Sequence, residues 1–271
     1  MLLMNGQAGA FKVVWRQRSL LLALTRRDIQ NRYTGSVAGA LWALMHPLAL
    51  LALYAVVFEA VFKVKVPNLS LGQPYVLFIA LALWPWMAFQ EAVMRGTTAV
   101  QQNGALVKKV AFDHELLIYS AVLSCFAIHG VGFAVVLVVL GVLGFNIHWP
   151  GLLSLLVFVP VLLLMALVLA LLLGALQVFV RDVEQLLSQV MSVLFYATPI
   201  LFPMAIVPNW LSDAMHYNPL VHVIDPLRNA LLDQGSFDGV STAWVALGCV
   251  IAFALSRAFF LRLSPYFEDM V

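Results

Sequence analysis

"LLSLLVFVPVLLLMALVLALLLGALQVFV", residues 152–180, contains no charged side chain. An α-helix rises about 1.5 Å per residue, so about 20 such residues cross the ~30 Å hydrocarbon core of a bilayer. Inside that core every backbone N–H and C=O must be bonded within its own helix. The stretch therefore predicts a membrane-spanning helix, and it sets the class: an all-α, polytopic membrane protein. Five further runs read the same way, at Val37–Phe62, Tyr75–Met94, Leu116–Phe145, Leu186–Val207 and Val240–Leu263. With Leu152–Val180 they predict six transmembrane helices. Pro199, Pro203 and Pro208 interrupt the fifth run, whose last turn is expected to be broken.

Composition agrees. Hydrophobic residues make up 63% of the 271 and charged residues 10%, where soluble domains carry roughly a quarter charged. No stretch is long enough for an independent soluble core, so residues 1–35 are read as a cytoplasmic amphipathic segment and 36–271 as a single membrane domain. The net charge of +2 gives no reason to expect a nucleic-acid partner. Cys125 and Cys249 lie in apolar runs and form neither a metal pattern nor a disulfide framework. No removable leader is expected, because the apolar patch Leu20–Leu24 ends in Arg26 and Arg27 and not in a small-residue cleavage site.

Orientation follows from the basic residues. With a cytoplasmic N-terminus, the inner side receives Lys12, Arg16, Arg18, Arg26, Arg27, Arg32, Arg95, Lys108, Lys109, Arg181, Arg257 and Arg262, whereas the outer side receives Lys63, Lys65 and Arg228. This is a positive-inside bias, and six spans return the C-terminus to the cytoplasm. Trp149 and Trp210 then fall at the outer interface, where amphipathic rings settle.

Before the first run, Phe11, Val14, Trp15, Leu21, Leu22, Leu24 and Ile29 alternate with basic residues. The pattern predicts an amphipathic interfacial helix along the inner surface, with its arginines near anionic lipid headgroups. Its last part, "RRDIQNRYTGS" (26–36), packs arginines around Asp28 more densely than anchoring needs. On the outer side Pro208–Gly239 is too polar and proline-broken to span, which predicts short re-entrant or interfacial periplasmic helices capping an exit. Trp210 and the pair Asp225 and Arg228 are its candidate gate residues.

Sites of chemistry are few. There is no G-x-x-x-x-G-K-[ST] phosphate loop, no dinucleotide glycine pattern and no metalloprotease helix motif. No catalytic residue, metal or cofactor is expected in the chain. His46, Glu59, Glu91 and His129 are scattered through apolar runs, whereas a proton relay wants a chain of such groups. A self-contained channel or proton-coupled carrier is therefore disfavoured. "LVKKVAFDHELLIYS" (106–120) stands out as a charged cytoplasmic patch between two apolar runs.

Five motifs in order make the chain recognisable. "RRDIQNRYTGSVAGALWALMHPLALLALYAVVFEAVF" (26–62) resembles the opening of the permease subunits of type 2 ABC exporters for lipid-linked polysaccharides. "NGALVKKVAFDHELL" (103–117), "FVRDVEQLL" (179–187), "YATPILFP" (196–203) and "NPLVHVIDPLRNALL" (218–232) are similar to later segments of that family. His114 stands where relatives more often carry proline.

The resemblance implies a division of labour. ATP and magnesium would be handled by two copies of a separate ABC ATPase subunit, and the loop between the second and third spans would be a coupling helix docked on that ATPase. Leu106, Val107, Val110 and Phe112 are its candidate anchors, Lys108, Lys109, Asp113 and Glu115 its register charges, and Asn103 a further candidate coupling residue. Arg26, Asp28 and Arg32 of the N-terminal segment are further candidate contacts. The "RDVEQ" turn (181–185) also faces the cytoplasm, and Arg181 and Asp182 suit an ion pair there.

Six helices of one chain fill their own interior, so a polymer-wide channel implies a homodimer around a two-fold axis. Sugar C–H faces stack on aromatic rings. Tyr33, Trp42, Tyr54, Trp84, Trp86, Phe89, Tyr119, Phe195 and Tyr196 are thus the candidate channel lining. The implied cargo is an undecaprenyl-diphosphate-linked polysaccharide such as O-antigen, crossing the bacterial inner membrane. Alternatives within the family are capsular polysaccharide, teichoic acid, or a drug or lipid.

Overall fold

The computed structural model describes residues 9–33, 42–61, 75–233 and 239–271. These residues form helices and turns, with no strand among them. In chain order the helices are α1 (Ala10–Arg16), α2 (Arg18–Tyr33), α3 (Trp42–Ala55, continued as a π-helical turn over Val56–Val61), α4 (Tyr75–Gln102) and α5 (Gly104–Lys109). They continue with α6 (Glu115–Val142), α7 (Leu155–Gln177, led in by a 3₁₀ turn at Trp149–Ser154), α8 (Val183–Tyr196), α9 (Asn209–His216), α10 (Val221–Leu231), α11 (Gly239–Leu263) and α12 (Phe267–Met270).

Among the described residues, four helical segments are long and apolar enough to cross a bilayer: Tyr75–Gln102, Glu115–Val142, Trp149–Gln177 and Gly239–Met270. At 28 residues, α4 and α6 each extend about 42 Å, beyond the ~30 Å hydrocarbon core, so their ends project into the interfaces. The other two expected spans are shorter. Leu44–Glu59 is a shorter apolar helix, and part of the run Val37–Phe62 lies outside the described residues. The run Leu186–Val207 is divided: α8 stops at Tyr196 and a turn leads to a 3₁₀ turn at Met204–Ile206. Pro199, Pro203 and Pro208 explain the division, because each removes an N–H that a continued helix would use.

The centre is α4. It packs against α6 and α7, while α2 lies on α6, α3 on α4, and α11 on α7. Of the four spans α4 is the least hydrophobic and the most buried, because its neighbours are protein and not lipid. That burial surrounds Glu91 and Arg95, both within its length, with protein partners. Close approach rests on small residues: a methyl group added at Gly96 would stand 2.6 Å from the Ala170 Cβ on α7 and 3.2 Å from Val122 on α6. By contrast, α11 leaves Trp244, Leu247, Val250, Ile251 and Leu255 exposed, an apolar face that no other part of the described chain covers.

Candidate functional site

At one end of the bundle α5 follows α4 through Asn103. The Asn103 amide donates back to the Ala99 carbonyl at 2.8 Å and its side-chain oxygen accepts from Arg27 on α2. Val107 turns inward and is buried, Leu106 and Phe112 are half-buried, and Lys108, Lys109 and Val110 are exposed. The tip of α5 therefore presents two ammonium groups and an uncovered apolar side chain. Beyond it Asp113 accepts from Arg16 at 3.2 Å and from Gln17, so the junction of α1 and α2 holds one side of the loop while Arg27 holds the other.

Glu115 is placed differently from its expected role as a register charge. It is buried, and both of its oxygens are taken by Arg257 of α11 at 2.7 and 2.9 Å, with the Tyr119 hydroxyl donating at 2.9 Å. Arg181 and Asp182 form no ion pair with each other among the described residues. Gln177 closes that turn instead, accepting from the Glu184 N–H at 2.8 Å and donating to Gln101 at 3.1 Å and to the Arg181 carbonyl at 3.2 Å.

Arg26, Asp28 and Arg32 do not share one fate. Asp28 and Arg32 turn onto α4 and α6. Arg32 pairs with Asp28 at 3.1 Å and with Glu91 at 2.7 Å, and donates to Ser124 and to the Cys125 sulfur at 2.9 Å each. Asp28 also receives Arg95 at 2.8 Å and the Ser124 hydroxyl. Glu91 in turn meets His129 Nε2 at 2.7 Å. Burial works to lower the Arg32 guanidinium, but Cys125, Glu91 and Asp28 outweigh it and hold the group above its ordinary value.

This network is what the linear reading missed. Glu91 and His129 are far apart in sequence and in direct contact in space. A signal was present: Asp28 with Arg32, and Glu91 with Arg95, are opposite charges spaced i, i+4 on two helices, which places each pair on one face. The network opens on a cavity of about 300 Å³ lined by Arg32, Trp42, His46, Met87, Glu91 and His129.

The aromatic set divides by position. Trp84, Trp86, Phe89 and Tyr119 are buried in the packing around α4, with Trp86 Nε1 donating to Gln90 at 2.9 Å. Tyr54 stacks on Phe195 at 6.1 Å between ring centres, and Phe195 also meets Trp86 at 5.8 Å and Tyr196 at 5.2 Å. Trp42 and Tyr196 are the exposed members, and the Tyr33 side chain lies outside the described residues.

At the opposite end Trp210 is exposed on α9, while Arg228 of α10 is only 1% exposed. Its guanidinium lies 3.7 Å from the centre of the Phe78 ring, donates to the Pro199 carbonyl at 2.6 Å and pairs with Asp225. Complete burial lowers this guanidinium below its usual range, and Asp225 offsets part of the effect. Tyr75 bonds the Leu201 carbonyl, and Asn218 bonds Ala197 and Thr198 at 3.0 Å each. The proline turn after α8 is thus tied to α4 and α10 by side chains that satisfy carbonyls no helix uses.

A family model described as ABC-2 type transporter matches residues 19–232. Among curated proteins, the chain is 27% identical over 263 residues to the "O-antigen export system permease protein RfbA" of Myxococcus xanthus, covering 95% of this chain and 97% of the relative. A Klebsiella pneumoniae protein of the same name is 28% identical over 218 residues, covering 79% and 80%. The "Polysialic acid transport protein KpsM" of Escherichia coli is 22% identical over 245 residues, covering 90% and 93%.

Proposed function

Because the chain belongs to the ABC-2 type transporter family, we propose that it is the permease subunit of an exporter that carries lipid-linked O-antigen polysaccharide across the bacterial inner membrane. In this reading α3 and α8 complete a six-span domain, with both termini cytoplasmic and α9 and α10 capping the outer end. Two copies form the passage and two separate ATPase subunits drive it. The names of the O-antigen export permeases similar to it over 95% and 79% of the chain support the cargo class. A capsular polysaccharide is the second reading, favoured by the similarity to the polysialic acid transport protein.

One observation carries the mechanism: α5 offers Lys108, Lys109 and Val110 outward while Val107 and the bonds to α2 fix its base. Exposed charges with an apolar contact on a firmly mounted helix suit docking in a groove of a partner. ATP binding would draw the two ATPases together and displace α5. Since α2, α4 and α6 share the Asp28–Arg32–Glu91–His129 network, a push on the inner end of the bundle reaches Glu91 of α4 and His129 of α6 without passing through flexible loops. The partner biases only those states it binds differently.

The test is co-expression with an ABC ATPase subunit from the same organism, followed by purification through the permease. We expect an intact complex whose ATP hydrolysis rises with undecaprenyl-diphosphate-linked polysaccharide. Lys108→Glu with Lys109→Glu should release the ATPase while the permease still inserts and melts as before. Retained ATPase and unchanged transport in that variant overturn the docking assignment, and nucleotide hydrolysis or uphill transport by the permease alone overturns the division of labour.

A further inference from the structure

We propose that Ser264–Val271 is a brace that fixes the pose of α5, with Phe267 as its positioning residue. The role in coupling rests on the function proposed above, whereas the brace itself rests on packing alone.

Four parts of the chain meet at Phe267, whose side chain is fully buried. Its ring lies 5.2 Å from Phe260 of α11, 6.1 Å from Phe179 in the turn between α7 and α8, and 6.1 Å from His114 at the start of α6. His114 in turn holds the Ser264 hydroxyl through Nδ1 at 2.9 Å and meets the Phe112 ring edge-on at 5.5 Å. Just past α12, Val271 closes over the first residue of α5: a Cβ built on Gly104 would stand 2.3 Å from Val271 Cγ1. Only glycine at 104 admits that contact without displacement.

The helix needs such help. A six-residue helix has no stability of its own in water, since isolated helices below ~12 residues are marginal. Asn103 fixes one end and Val107 is its single buried side chain. A lever that bends in its mounting transmits little displacement, so the stiffness of the mounting sets how much of a push on α5 reaches α6, α7 and α11. Phe267 touches the start of α6, the turn after α7 and α11, and Val271, four residues on, touches α5. In this view α5 and the inner ends of α7 and α11 move as one body.

The experiment uses the full chain in two preparations. In the purified permease alone, amide exchange is followed at Leu106, Val107 and Val110, whose N–H groups bond Asn103 and Leu106 carbonyls. In proteoliposomes with the ATPase, the ATP hydrolysed per undecaprenyl-diphosphate-linked polysaccharide exported is counted. Phe267→Ala should speed exchange in α5 by about tenfold while α4 amides stay protected, and should raise the ATP consumed per glycan several-fold. Phe267→Leu should restore most of both.

Should Phe267→Ala loosen every helix alike, a second pair decides. Gly104→Ala should loosen α5 alone, and Val271→Gly added to it should tighten α5 again. Unchanged α5 exchange in Gly104→Ala, or no recovery in the double variant, overturns the brace. Absence of glycan-stimulated hydrolysis in the unmodified complex would instead overturn the proposed function, and the exchange result would still decide the brace.

Discussion

Arg257 of α11 grips both carboxylate oxygens of Glu115 at the start of α6, at 2.7 and 2.9 Å, across 142 positions of sequence. Glu115 is 1% exposed, so the pair is a buried ion pair, and its two partners depend on one another. Removing one partner of such a pair costs about 3–5 kcal/mol, whereas replacing both with apolar groups of similar volume is nearly neutral. Arg257→Met should therefore lower the melting temperature of the purified permease strongly, and Arg257→Met with Glu115→Leu should recover most of the loss. Equal melting of single and double variants would show that the pair is not coupled.

The Arg32 network gives a second expectation. Arg32→Ala leaves Asp28 and Glu91, both partly exposed, with fewer cationic partners, at a cost of about 1–3 kcal/mol. Arg26→Ala, at a residue with no ion pair among those described, should change stability by less than about 0.5 kcal/mol. Denaturation of the two variants in the same detergent compares them. Equal losses would place both arginines in the same surface role.

Acidity should act on the brace through His114. Burial holds its imidazole below the usual histidine range, against Glu268, the Ser264 bond and Asp113, which pull it upward. The folded state thus favours the neutral ring. The unfolded chain takes up its proton first, near the ordinary value of about 6.5, so this site contributes fully above that pH and loses its contribution as pH falls through the lowered native value. Melting should fall more steeply between about pH 7 and pH 5 in the unmodified chain than in His114→Phe. Identical pH profiles would remove His114 from the account.

Topology can be read by labelling. Arg228 is buried and makes a poor probe, but Tyr217 is 91% exposed at the outer end. With Cys249 replaced by alanine, Tyr217→Cys should react with a membrane-impermeant maleimide in intact spheroplasts, and Lys109→Cys only after permeabilisation. The reverse pattern would invert the chain in the membrane.

Much of the fold was legible in the sequence because membrane solvation imposes it one segment at a time. A run such as Leu152–Val180 has to be helical whatever its neighbours are, since hydrocarbon offers its backbone no other partner. The prolines at 199, 203 and 208 likewise announced a broken fifth run, although not how short α8 would be. The exposed tip of α5 was readable as a charged island between apolar runs. Glu115, Asp28, Arg32 and Arg228 were not readable in the same way, because a charge in a linear motif shows its type and not its direction.

Hydropathy and local spacing, then, settled on their own that this chain lives in a membrane as helices and which of its loops carries charge. Only tertiary packing decided that Glu115 faces Arg257, that Glu91 and His129 complete a network begun on α2, and that Trp84 and Trp86 belong to the packing around α4. The cause is range: a backbone is desolvated residue by residue, whereas a buried charge is neutralised by whichever distant helix the fold brings within about 3 Å.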